Sequence, residues 1–282
     1  MTPSRPSGAT VDTGRLLKLA ALAQPDASMD RAHSPSGGWS GPRRGEGGDP
    51  YDLRPFQEGD DPRRIDPAAT ARSGRPQVRS RHEEVEHTLL LVADFRSSML
   101  WGTRGRFRSV AAAEALALEG WRAILGGGRV GAVILRDGDA ETLAPRPREG
   151  AMLAVCGALA RVHAAACDGS ASAPETLAAG LDRVGAGISP GMSVCLATGL
   201  DDPGEGFATA AAALMQKGRL EVLLVQDAVE MTPPSGTFAA RLGRRIARGR
   251  FGASFSAATL KAAGIPVRIV DATDSPGSGA AT

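Results

Sequence analysis

The stretch Asp94-Phe95-Arg96-Ser97-Ser98 sets one carboxylate, one guanidinium and two hydroxyls directly after the apolar run 89–93. A D-x-S-x-S turn at a strand end would offer only hard oxygens. Such a set suits Mg²⁺ or Mn²⁺, with water completing the octahedron. Asp94 and Ser98 fit that pattern, whereas Arg96 stands where the first hydroxyl would be. A guanidinium beside the ion opposes a dication. The same residues also read as a capping acid and a helix-start serine, and spacing alone does not separate the two.

Other local chemistry is sparse. GGGRVG at 126–131 satisfies GxGxxG, but it follows a helical pattern and opens a strand. A dinucleotide loop does the reverse, so these glycines read as a helix C-cap turn. The four histidines share no metal-like spacing, no serine is flanked as GxSxG, and there is no P-loop. Cys156, Cys167 and Cys195 are odd in number and lack CxxC spacing, which argues against a disulfide framework or a zinc site. A reducing compartment suits them, with Cys156 and Cys195 in apolar segments and buried.

A strand end does chemistry only if a sheet positions it. From residue 88, apolar runs alternate with helical periodicity. Strands are expected at 88–93, 129–136, 192–197, 220–226 and 266–270. Helices are expected at 107–125, 152–165, 175–184, 207–217 and 256–263. Such alternation gives an α/β fold, a mostly parallel, doubly wound sheet with helices on both faces. Ligands then bind at the carboxyl ends of the strands, which is where Asp94 falls.

The flanks differ. Residues 1–50 read as largely flexible, with one short helix at 14–24 capped by Asp12 or Thr13. Residues 51–87 form a polar arm packed on the domain, extended over 77–85. Residues 88–272 are the domain, and 273–282 a disordered tail. Within the arm, Asp60, Asp61, Arg63, Arg64 and Asp66 either pair among themselves and cap the loop or form a partner surface; so dense a mixture favours pairing. Arg72 and Arg79 join the same network.

The 282 residues carry a formal net charge of +2 and a pI near 8.6, too balanced to argue for nucleic acid. Only Lys18, Lys217 and Lys261 are lysines; codon bias explains the arginine excess better than a phosphate surface does. No run approaches the roughly 20 apolar residues of a membrane helix, so a cytoplasmic protein with no transmembrane segment is expected.

In order and spacing, FQEGDDPRRIDPAATARSG, VRSRHEEVE, LLLVADFRSSMLWGTRGR and GGRVGAVIL resemble one family across about 54–270. It is the MoxR-associated, von Willebrand factor A-like family known as domain of unknown function number fifty-eight. The resemblance implies a von Willebrand A-like domain of the short cytoplasmic type and a partner, a MoxR-type AAA+ ATPase. It also implies a non-enzymatic adaptor role in maturing or remodelling a client protein complex, a dehydrogenase being one candidate client. It further implies a metal-ion-dependent adhesion site that grips a partner's carboxylate.

That site departs from the family pattern here. Arg96 replaces a hydroxyl. Glu175 or Thr176 falls where the family has a Thr, Ala197-Thr198 where it has Ser-Asp, and Pro67 where it has a Trp. Asp94 and Ser98 remain as degenerate ligands for Mg²⁺ or Mn²⁺. Arg96, Asp201 and Asp202 are the partner-binding candidates, Arg96 meeting a partner carboxylate directly while Asp94 holds it. Trp101 is a core plug or an exposed anchor, packing being the commoner role. The alternatives are a structural scaffold of an envelope-associated assembly, and a metal-dependent hydrolase using Asp94 with Asp201 or Asp202, which lacks a convincing general base.

Overall fold

Residues 7–23, 52–57, 60–80, 87–169, 173–242, 245–249 and 257–274 are described in a computed structural model. The chain divides into a smaller unit, residues 28–86, and a larger one formed by the rest. Gln24, Gly59, residues 81–86, 275–282 and the side chains of Arg64 and Arg79 lie outside the described residues.

Helix α1 (Thr13–Lys18) opens the larger unit. The Asp12 carboxylate accepts from the Arg15 amide at 2.7 Å, an N-cap that satisfies one orphan donor. A 3₁₀ turn over Leu19–Leu22 continues it. The helix packs on the domain, for Trp121 Nε1 donates to the Leu16 carbonyl at 3.0 Å.

The smaller unit pairs β1 (Asp52–Pro55) antiparallel with β2 (Gln77–Ser80) and carries helix α2 (Pro67–Ser73) between them. One of its acids is held by an arginine and two by backbone amides. Arg54 holds Asp60 through two bonds, at 2.7 and 2.5 Å. Asp61 accepts from the Arg63 amide, and Asp66 caps α2 by accepting from the Ala69 amide at 2.8 Å. Arg72 is exposed.

Among the described residues the larger unit is built on a six-stranded sheet. In chain order its elements are β3 (Thr88–Asp94), α3 (Arg108–Leu125), β4 (Arg129–Arg136), β5 (Asp139–Pro147), α4 (Glu149–Cys167), α5 (Leu177–Ala186), β6 (Ser193–Thr198), α6 (Phe207–Lys217), β7 (Arg219–Gln226), α7 (Ala228–Met231), the hairpin β8 (Phe238–Leu242) and β9 (Arg245–Gly249), α8 (Ala257–Ala262) and β10 (Val267–Asp271). Strand order is β10-β7-β6-β3-β4-β5, with β5 antiparallel to β4 and the other pairs parallel. The chain leaves β3 towards β4 and later returns to β6 on its other side. The switch point therefore lies between β3 and β6.

Near-continuous apolar strands are what burial on both faces demands. Leu90, Val92, Leu196 and Leu224 pack with Leu181 of α5 and Leu214 of α6. On the opposite face Leu91 meets α3, whose Gly120 leaves no spare room. A Cβ there would come within 2.5 Å of the Met152 sulfur and 2.9 Å of Leu91 Cδ1. Helix α4 has the length and apolarity of a membrane span, at mean hydropathy 1.5. Met152, Val155, Cys156 and Leu159 on it are buried in the domain, as a core helix would place them.

Most elements lie where the pattern puts them, and 129–136 and 207–217 coincide with β4 and α6. Gly126 caps α3 and Gly127 turns at φ 82°, as expected of the GGGRVG run. The hairpin β8–β9, the edge strand β5, and β1, α2 and α7 have no counterpart among the expected elements.

Candidate functional site

Five segments converge at the carboxyl ends of the central strands: the turn after β3, the β4–β5 turn, the residues before α5, the loop after β6, and α7 after β7. Asp94 ends β3 with 0% exposure, and Arg96 two residues later is 1% exposed. The extended backbone of Arg96 (φ −60°, ψ 158°) lets its side chain fold back over the strand end.

The pair is bidentate. Arg96 Nε donates to Asp94 Oδ1 at 2.9 Å and Nη2 to Oδ2 at 2.8 Å. Nη1 donates to the Glu175 carbonyl at 2.7 Å and the Asp202 carbonyl at 3.4 Å, and Nη2 to the Asp201 carbonyl at 3.0 Å. A guanidinium has five N–H donors, and each is engaged. Burial works to lower the Arg96 pKa, and the hydrogen-bonded charge of Asp94 outweighs it, leaving the pKa raised. Thr198 of β6 donates its hydroxyl to Asp94 Oδ2 at 2.7 Å.

A second arginine braces the loop after β6. Arg108, at 0% exposure, pairs with Asp201 and with Glu230 of α7, the latter at 2.9 Å. It also donates to the Ser98 carbonyl at 2.6 Å and lies 4.3 Å from the Trp101 ring centroid. Burial raises the pKa of Asp201 against the pull of Arg108, and burial likewise raises Glu230. Asp227 caps α7 in a reciprocal box with Glu230 and accepts from the Thr103 amide at 2.8 Å. Leu200 (φ 58°) and Asp202 (φ 43°) sit in the left-handed region, a strain held by these surrounding bonds.

The sequence candidates thus separate. Asp94, Arg96 and the Asp201–Asp202 backbone come together. The Asp201 carboxylate turns to Arg108, while Asp202 is exposed. Ser98 Oγ is buried without a hydrogen-bond partner among the described residues. Thr176 caps α5, and Glu175 pairs with Arg183, which lowers its pKa. Trp101 packs on Arg108 and is half-buried. Arg108, Glu230 and Asp227 are site residues that the sequence reading missed. The D-x-x-E of 227–230 is a capping-box signal that could have found two of them.

The oxygens here do not fit a divalent ion. The carboxylate of Asp94 and the carbonyls of 175, 201 and 202 surround a position filled by a guanidinium. Among the described residues no group of three or more His, Cys, Asp or Glu is placed to hold a metal. A separate cavity of about 640 Å³ lies at the opposite end of the sheet, between β5 and α4, and no acid, histidine or cysteine lines it.

Three uncharacterized proteins, one from Mycobacterium bovis and two from strains of Mycobacterium tuberculosis, are each 39% identical to this chain over 104 residues. That match covers 36% of the chain and 32% of each relative, so the matched segment spans about a third of their length. A family model described as protein of unknown function DUF58 matches residues 52–239, about two thirds of the sequence. The chain belongs to the DUF58 family.

Proposed function

We propose that this protein is a non-enzymatic adaptor with a von Willebrand A-like domain. It works with a MoxR-type AAA+ ATPase to mature or remodel a client protein complex in the cytoplasm. The observation that carries the reading is the filled crevice between β3 and β6. An open parallel sheet ordinarily takes its small ligand there. Here Asp94 and Arg96 occupy that place with every guanidinium donor engaged. What the face offers instead is a braced surface of loops, fixed from beneath by two buried arginines. Asp202 and Glu205 are exposed on that surface and are the groups we assign to partner contact. Arg96 is a positioning residue: it holds the 201–202 backbone rather than reaching the partner.

The test is steady-state ATP turnover by the MoxR-type ATPase of the same genome, with and without the full chain. An adaptor changes turnover. Unchanged turnover would favour the scaffold reading.

A further inference from the structure

The crevice between β3 and β6 has the makings of a cation site. At one point in the crevice a carboxylate and three backbone carbonyls accept from the Arg96 guanidinium, and the Thr198 hydroxyl donates to the same carboxylate. Carbonyl oxygens around a buried carboxylate call for positive charge or for N–H donors; that of Asp202 also accepts from the Leu177 amide at 3.0 Å, and those of Glu175 and Asp201 face Arg96 at 2.7 and 3.0 Å. Arg96 supplies both. It reaches the point from two residues along the same turn, and the Arg96 amide also donates to Asp94 Oδ1, at 3.2 Å.

We infer that the Arg96 guanidinium is the resident cation of this crevice, a tethered substitute for a divalent ion, and that the native site neither needs nor admits a metal. Three arguments support it. Asp94 has Arg96 as its ion-pair partner at 2.8 Å, while the Asp201 carboxylate turns away to Arg108, which it shares with Glu230. The geometry is saturated: a metal would have to displace Arg96 from five acceptors at once. The tether removes the entropy of capturing a free ion, so the loops at 175 and 201–202 are clasped whatever the ion concentration. The inference concerns the crevice's own charge and stands whichever partner the face meets.

Removing the tether should reveal the oxygen cage. In Arg96→Ser the new hydroxyl and Ser98 Oγ, which has no hydrogen-bond partner among the described residues, join Asp94, Thr198 and the carbonyls. That is a hard-oxygen set suited to Mn²⁺ or Mg²⁺.

The experiment is Mn²⁺ titration of the full chain, followed by electron paramagnetic resonance and by thermal unfolding. For the wild type we expect no stoichiometric Mn²⁺ binding and a Tm shift below about 1 °C between EDTA and millimolar Mn²⁺. For Arg96→Ser in EDTA we expect Tm lower by roughly 6–15 °C, because a buried carboxylate loses its partner. Millimolar Mn²⁺ should restore at least half of that loss, and Arg96→Ser with Asp94→Asn should show no restoration. Stoichiometric Mn²⁺ binding by the wild type, lost in Asp94→Asn, would overturn the inference. So would an Arg96→Ser protein as stable as wild type in EDTA. If Arg96→Ser fails to fold in EDTA, the wild-type titration still decides whether the native site admits a metal.

Discussion

The Thr198 hydroxyl donates to Asp94 Oδ2 at 2.7 Å and joins β6 to β3 across the point where strand order reverses. The same oxygen accepts from the Leu200 amide at 3.0 Å, so one side chain ties a buried carboxylate to a strained loop. Thr198→Val keeps the shape and removes both bonds. Buried groups left unsatisfied cost about 1–3 kcal/mol. We expect the urea midpoint to fall with the slope unchanged; an unchanged midpoint would show that this link does not stabilise the fold.

The Asp94–Arg96 pair is predicted to be worth most when half of it is missing. Asp94→Leu strands a buried guanidinium and should cost about 3–5 kcal/mol. Asp94→Leu combined with Arg96→Met removes the stranded charge and should be more stable than Asp94→Leu alone. It should remain below wild type, because the carbonyls of 175 and 201 lose the Arg96 donor. A double-mutant cycle measures the difference, and simple additivity would refute the pairing.

Two carboxylates should shift stability oppositely with pH. Burial raises the pKa of Asp201, outweighing Arg108. Its contribution is present below the ordinary carboxylate range and is lost as pH rises through the raised value. For Asp227 burial acts upward, but hydrogen bonds from Thr103 and the Val229 amide leave the pKa lowered. That contribution is present above the ordinary range and is lost as pH falls through the lowered value. The deficit of Asp201→Asn relative to wild type should therefore be larger at acid pH, and that of Asp227→Asn larger at neutral pH. Urea midpoints from pH 3 to 7 read both, and a shared trend would contradict the assignment.

The thiols should react in sequence. Cys156 and Cys195 are buried, and burial pushes Cys156 up to about 12 and Cys195 well above its ordinary value. Thiolate is the reactive form. An aromatic disulfide reagent at pH 8 should modify Cys167 quickly and the other two only on unfolding. Fast modification of all three would mean that the core opens far more readily than its packing implies.

The sheet was legible in the sequence because its central strands are apolar throughout, and 88–93 and 129–136 announce themselves. Strand β5 did not, since DAETLAPRP mixes polar residues with two prolines, which an exposed edge tolerates. The Asp94 turn was legible as chemistry, and its outcome was not. Sequence sets Arg96 beside Asp94, but three of the groups that capture it are backbone carbonyls, which every residue carries. Arg108 was missed for a related reason. It opens a helix, and its partners lie 93 and 122 residues away. The Arg54–Asp60 pair was readable because dense mixed charge tends to satisfy itself locally, whereas Asp61 and Asp66 act as N-caps, each just before a proline that opens a helical turn.

The most direct measurement of the account is recovery of the MoxR-type ATPase on the tagged full chain, once in Mg²⁺ and once in EDTA. The account predicts equal recovery in both buffers, because Arg96 supplies the crevice's charge without an ion. Recovery in neither buffer would contradict the adaptor function, and recovery lost only in EDTA would contradict the role given to Arg96.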